Sequence, residues 1–461
     1  MSAMNITQVE KFEVLPSNQP SNNTYSFRKG NPIITINVGS TPKLLRASSV
    51  RVNGKLTIYD ATGKLASATS INQTRGNAAG ATTTDVQINS RIGTSGMFQN
   101  INLASNDTGQ TLESVRQYGR LTASVLQTVS SPEDLLMNSA TTEINPGIDL
   151  ACANMTSNTV HFSSRLFAGM LQGGNAVPMG VNGVRGLTIT LELASDQQFL
   201  KGADAGGAGG STYEVSDISL TGDYLVPDAQ GSQSLSVPGN GMFAYNSWNN
   251  LYSVIDSADA TQTYNLAQSN VLQVFHNFLP VSYSNNYAAD GYKTDIPELT
   301  PANGTFDPAA PTYAEIKKVS FSRAGMKLAL DYDIDVATAS TLGRPQTNLE
   351  INYLNSILPY PKTAHTLQQP LLLGFGQEDS RIWDRASGGP QATTSVDVGA
   401  KNFGVGISVD PVSGVGLDFR GQSYATRIQS SLDGKSPNAV YTYVLAKNVL
   451  QYSPSGIVVQ S

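Results

Sequence analysis

Cysteine is almost absent: the 461 residues contain one, Cys152. That excludes an intramolecular disulfide and a cysteine-based zinc site, and it fits a reducing compartment best. Histidine is scarce as well. His161, His276 and His365 stand far apart, with none of the HExxH spacing that brings two imidazoles to one metal. Charge is thin, since 14% of residues are Asp, Glu, Lys or Arg where ordinary globular chains carry about 25%. Lys plus Arg 29 against Asp plus Glu 35 leaves a net charge of −6. Nucleic-acid binding draws most of its affinity from neutralised phosphates, and no basic block or aromatic-basic stripe is present to supply it, so no direct contact with DNA or RNA is expected. No stretch approaches the ~18 apolar residues of a membrane span. The opening MSAMNITQVEKFEV lacks a basic segment followed by an apolar core, so no signal peptide is expected. Six Asn-x-Ser/Thr sequons, beginning at Asn5, Asn22, Asn72, Asn106, Asn154 and Asn303, are what an Asn- and Thr-rich chain contains by chance.

The signatures of catalysis are also lacking. There is no GxSxG elbow, no GxxxxGK[ST] loop and no GxGxxG after a strand. Gly404-Val405-Gly406 and Gly414-Val415-Gly416 are too short to cradle phosphate and suit bends at strand ends. The best metal candidate is Asp331-Tyr332-Asp333-Ile334-Asp335. An EF-hand loop needs Gly after its third acid to turn around the ion, and Val336 stands there instead. As a strand the segment puts Asp331, Asp333 and Asp335 on one solvated face. The two tryptophans, Trp248 and Trp383, read as core or interface aromatics rather than a sugar platform. Tyrosines in strand-like runs, Tyr213, Tyr332, Tyr441 and Tyr443, suit contacts between subunits, where one ring edge is dry and the hydroxyl wet. Paired carboxylates set by the fold stay open as a route to glycan cleavage. No catalytic residue, cofactor or metal ligand is assigned, and the chain is not expected to be an enzyme.

What the chain does contain is short β-branched and aromatic runs bounded by Gly, Asn, Asp, Pro or Ser. Ile33 to Val38, Val50 to Tyr59, Leu187 to Leu193, Lys327 to Val336 and Ala439 to Leu445 are expected strands. In LTITLEL, Leu187, Ile189, Leu191 and Leu193 share one face and Thr188, Thr190 and Glu192 the other, as a half-buried antiparallel strand requires. Helical periodicity predicts helices over Thr111 to Gln127, from Ser131-Pro132 onward, and over Thr347 to Ile357. Residues 1–30 are expected to form an extended arm. Residues 227–241, with Pro227 and Pro238-Gly239-Asn240-Gly241, are expected to be a linker between domains 31–226 and 242–461. Gly206 to Gly210 reads as a loop tip and Pro297 to Pro311 as a long loop.

A repeat joins the halves. Arg185-Gly186 opens a strand that leads to Tyr213 and Tyr224; Arg420-Gly421 opens another that leads to Tyr441 and Tyr452. Each tyrosine lies 228 residues from its counterpart, nearly half the chain. Each half then has the size of an eight-stranded sandwich.

This order of elements resembles the double jelly-roll major capsid proteins of the adenovirus and tectivirus lineage, with polinton-like virus and virophage proteins most similar. The resemblance is carried by Phe403 to Asp410, Gly416 to Gly421, Tyr441 to Asn448 and Tyr452 to Gly456 as closing strands, and by Asn270 to Pro280 as an early strand of the second domain. Gly343-Arg344-Pro345 leading into Asn348-Leu349-Glu350 is similar to the family's loop-to-helix crossover. It implies an all-β fold of two tandem eight-stranded antiparallel jelly rolls with short helices in the connections. It further implies a homotrimer of pseudo-hexagonal outline that meets neighbouring capsomers, penton and minor capsid proteins in the virion of a double-stranded DNA virus, assembled inside the host cell. An internal membrane beneath the shell is left open. With only Lys11, Arg28 and Lys29 as basic groups, residues 1–30 suit contacts to neighbouring capsomers or minor proteins, not a genome. The competing readings are a carbohydrate- or receptor-binding β protein, such as a viral spike or lectin-like module, and a glycan-cleaving enzyme.

Overall fold

The computed structural model describes residues 5–59, 63, 86–88, 93–129, 159–171, 176–182, 184–202, 210–236, 241–287, 291–292, 315–327, 334–335, 405–408, 416–431, 437–453 and 456–460. The first eight main strands are β1 (Ile6–Val14), β2 (Ile33–Val38), β3 (Arg51–Tyr59), β4 (Phe98–Ser105), β5 (Thr111–Arg116), β6 (Thr159–Arg165), β7 (Leu187–Leu193) and β8 (Thr212–Pro227), with period-two alternation cleanest in β2, β3 and β7. They pair antiparallel as two sheets, β1-β8-β3-β6 and β2-β7-β4-β5. In β7 every second residue is buried, and Leu191 lies between Ile34 of β2 and Ile101 of β4. The inner faces of the two sheets meet in a core that includes Ile34, Val52, Leu56, Ile101, Leu191 and Val215.

The second half repeats the scheme. Its strands are β9 (Gly241–Ile255), β10 (Asp259–Asn265), β11 (Val271–Pro280), β12 (Glu315–Arg323), β13 (Met326–Lys327), β14 (Val405–Ser408), β15 (Ser423–Ser431) and β16 (Asn438–Ser453). They pair as β9-β16-β11-β14 and β10-β15-β12-β13, so every strand occupies the place of the one eight earlier. Ile334–Asp335 also pairs with β12, and a terminal strand, Gly456–Gln460, pairs with the end of β16. The core of this lobe contains Val274, Phe278, Val319, Phe321, Ile428, Val440 and Val444.

Four expectations are refined or corrected. Within the expected extended arm, residues 6–14 form β1, which pairs along β8 from Ile6↔Pro227 to Val14↔Leu220, with Phe12 stacked on Tyr224 at 4.4 Å. Thr111 to Gln127 is not one helix. Thr111–Arg116 is strand β5, Gln117 takes a left-handed φ of 53°, and the helix, α1, runs over Tyr118–Val129. Leu112 and Val115 have helical spacing, but hydrogen bonding to β4 decides the outcome, since short apolar runs take the conformation that their tertiary partners reward. Within the expected linker 227–241, between β8 and β9, lies a helix, α2 (Ala229–Ser236), whose first turn is capped where Gly231 N donates to Asp228 Oδ1 at 2.8 Å. The tyrosine repeat is the fourth. Tyr213 faces its own core, where its hydroxyl donates to Ala194 O at 2.6 Å, whereas Tyr441 faces the first lobe. A one-residue difference in strand register reverses the face of a side chain, so the 228-residue offset matches equivalent strands but not equivalent positions.

The expected helices at 131 and at 347–357 lie outside the described residues, as do the loop 297–311 and Gly343-Arg344-Pro345. Among the described residues no helix is long and apolar enough to cross a membrane.

Candidate functional site: the junction between the two lobes

The long strand β16 explains how the lobes are joined. A strand with one wet face alternates, but here nine consecutive residues from Asn438 to Ala446 are buried. Val440 and Val444 point into the second lobe's core, while Ala439, Tyr441, Tyr443 and Leu445 point the other way and join the first lobe's cluster together with Trp248 of β9. The sheet is thus covered on both sides. Each large apolar side chain removed from water contributes on the order of 2 kcal/mol, so this face alone holds the lobes together strongly.

From the first lobe the junction is built by β5, the start of α1 and the segment 166–171. Glu113 of β5 is fully buried, and its carboxylate accepts three backbone N–H groups at 2.8 Å: Gly169 and Met170 of its own lobe and Trp248 of the other. A buried carboxylate is tolerable only when donors surround it. Burial pushes its pKa up to about 7, against the pull of those three donors. Nearby, Tyr245 donates its hydroxyl to Leu112 O at 2.7 Å. Trp248 stacks on Phe167 with centroids 6.2 Å apart.

Arg120 of α1 is buried as well. Its guanidinium donates to Phe278 O and Gly291 O of the second lobe at 3.3 and 3.2 Å and lies 5.1 Å from the centre of the Tyr441 ring. Tyr443 donates to Gln117 O at 3.1 Å, using a carbonyl that the left-handed turn before α1 presents. Two glycines make the approach possible. A Cβ on Gly169 would sit 2.4 Å from Asn246 O of β9, and one on Gly119 would sit 2.6 Å from the Tyr292 ring. Beyond α1, a strap from the second lobe fastens onto the first: Tyr287 donates to Ser211 O at 2.7 Å and Tyr292 to Gly96 O at 2.6 Å.

The residues singled out from sequence fall elsewhere. His161 is exposed on β6. His276 is buried inside the second lobe, with Nδ1 2.7 Å from Thr442 Oγ1 and Nε2 3.0 Å from both Tyr424 OH and Thr426 Oγ1, its ring stacked on Phe321. Burial lowers its pKa to about 3. Because the native state takes up this proton less readily than the unfolded chain, the contribution to stability is complete above pH 6.5 and is lost as pH falls towards 3. Between pH 7 and pH 4 the wild type is expected to lose about 3 kcal/mol relative to the variant His276→Gln, measured by urea unfolding at each pH. Equal losses in both proteins would contradict this.

Asp335 lies in the short strand paired with β12, and Asp331 and Asp333 lie outside the described residues, as do His365, Trp383 and Tyr332. Among the described residues no group of three His, Cys, Asp or Glu side chains is placed to hold a metal. The tyrosines expected at subunit contacts are instead interior: Tyr213 is in its own lobe's core, and Tyr441 and Tyr443 face the junction within one chain. The residues that matter most here, Glu113, Arg120 and Gly169, were not singled out from sequence. Each is defined by backbone groups distant along the chain, and no local motif marks such a position.

In sequence, no family model and no curated protein matches the chain. In structure it is similar over its whole length to viral proteins. PBCV-1 VP54, as fitted into a reconstruction of the virophage Sputnik, aligns with a TM-score of 0.58 at 12% identity, covering 100% of this chain and 98% of that one. A chain of the PBCV-1 virus capsid gives the same values. The Faustovirus major capsid protein aligns with a TM-score of 0.54 at 10% identity over 98% of this chain and 92% of its own. With the eight main strands of each lobe in the same order and this end-to-end likeness, the fold of the chain is the double jelly roll.

Proposed function

We propose that the chain is a major capsid protein, three copies of which close into a pseudo-hexagonal capsomer of an icosahedral double-stranded DNA virus. The observation that carries this reading is the pair of lobes, alike in the order of their main strands, held side by side by a buried junction. A threefold ring of such molecules presents six similar lobes, and so tiles a nearly flat facet from a closed symmetry. The function is then shape and adhesion, with no reaction required; the protein resides in the virion, and its partners are other copies, neighbouring capsomers, and penton and minor capsid proteins. The sparse charge suits close contact among many copies without strong mutual repulsion. Multi-angle light scattering on the purified protein tests this: the expected mass is that of three chains, and a stable monomer across micromolar concentrations would contradict it.

A further inference from the structure

One sheet of the second lobe ends on an unprotected edge. β16 pairs on one side with β9 and on the other with β11 as far as Ala446; beyond that, from Val449 to Ser453, the place beside it is taken by the terminal strand Gly456–Gln460. β8 of the first lobe is built alike: beyond β3, its Tyr224 and Leu225 pair with a short strand, Leu44–Arg46. The two additions hold the same place and differ on their far side. Leu44–Arg46 is covered by a third strand, Ala176–Pro178, which pairs with it antiparallel from Ala176↔Arg46 to Pro178↔Leu44. Among the described residues no strand pairs with the far side of Gly456–Gln460.

The side chains differ in the same way. One cross-strand row of the first lobe runs Val9, Leu225, Leu44 and Pro178, and Pro178 is buried. In the second lobe the row Met242, Gln451 and Val458 stops one strand sooner, with Met242 63% and Val458 57% exposed. On the opposite face Ile457 and Val459 pack against the cluster that fills the first lobe and the junction, so the strand is anchored before anything joins it. An open edge presents unpaired N–H and C=O groups, and proteins blunt it with charge or proline. β1 carries Glu10, Lys11 and Glu13, β13 ends in Lys327, and Ala176–Pro178 ends in proline. Gly456-Ile457-Val458-Val459-Gln460 has neither, and its β-branched run suits a paired strand.

We infer that this edge accepts an extended segment of a different protein, which adds to the sheet as an antiparallel strand in the place that Ala176–Pro178 fills in the first lobe. The first-lobe strand gives the chemistry of the guest: short, uncharged and apolar. Ala176–Pro178 of another copy is not the donor, because it is held in its own lobe with Val177 fully buried. The identity of the donor rests on the capsid reading above, under which it is a minor capsid protein.

Hydrogen exchange of the full chain tests the edge, with a synthetic peptide of residues 174–180, which contains Ala-Val-Pro, as the probe. At millimolar peptide, exchange over Ile457 to Gln460 is expected to slow about 10-fold. Val458→Lys, which charges the end of the open row, is expected to abolish that slowing, with the melting temperature and the mass in solution unchanged. Val9→Lys, in the row that is already covered, is expected to keep it. No slowing in the wild type, or equal slowing in Val458→Lys, would overturn the inference. So would a smaller assembly for Val458→Lys than for the wild type, which would put a second copy on this edge. A monomeric wild type that still shows the slowing would overturn the capsid reading and leave the strand-accepting edge standing.

Discussion

Replacing Glu113 by alanine is expected to lower stability by about 3 to 5 kcal/mol at pH 7, among the largest effects of any single substitution in the molecule. The carboxylate is the acceptor for three buried N–H groups, and leaving a buried donor unpaired costs about 1 to 3 kcal/mol each, offset in part by relief of burying the charge. One of those donors, Trp248 N, belongs to the other lobe, so the variant is expected to expose the segment 166–171 and the edge of β9 to protease before either lobe unfolds. The pH dependence has a definite sign. With its pKa raised to about 7, the native protein holds the Glu113 proton more tightly than the unfolded chain does, so stability is fullest below pH 4.5 and falls by about 3 kcal/mol as pH rises to 7. His276 has the opposite slope over much of that range. The wild type is therefore expected to have a nearly flat profile between pH 4.5 and 6.5, and Glu113→Ala a rising one, in urea titrations at half-unit steps. A wild-type profile unchanged by the substitution would remove Glu113 from the account.

Gly169→Ala is expected to be nearly as damaging, at about 3 kcal/mol, the upper end for inserting one carbon into a packed interior. The new methyl would lie 2.4 Å from Asn246 O and 2.7 Å from its carbonyl carbon, atoms of the β9 backbone that no side-chain rotation can move. The clash wedges one lobe from the other, so the effect should appear as a lower melting temperature together with loss of assembly. The nearby pair supplies a contrast. Gly119→Ala also meets an atom at 2.6 Å, but there it is the Tyr292 ring, a side chain that can move, so a smaller loss is expected. Equal melting temperatures for Gly169→Ala and the wild type would mean that the lobes do not approach there as described.

How far the sequence revealed this fold depends on which faces are wet. β7 has one wet side, and its alternation marked both its type and its register. β16 was recognised as a strand, but its double coverage was not, because a strand buried on both faces loses the alternation that assigns each side chain to a face. Tyr441 and Tyr443 therefore read as subunit contacts when the surface they meet is the other lobe of the same chain. β1, with charges at Glu10, Lys11 and Glu13 and most residues exposed, resembled an arm because an edge strand outside the core carries little hydrophobic signal. Glu113 shows the limit most clearly. Within Thr111 to Gln127 it read as one polar position of an amphipathic helix, and only the return of residues 169, 170 and 248 to its side chain makes it a buried acceptor.

The central claim is that two jelly rolls fixed in one chain act as two sides of a six-sided building block. Electron micrographs of the purified protein, averaged without imposed symmetry and viewed down the particle axis, test it most directly. The account predicts six lobes of similar size in a ring with threefold symmetry. Isolated two-lobed particles, or a ring of any other order, would contradict it.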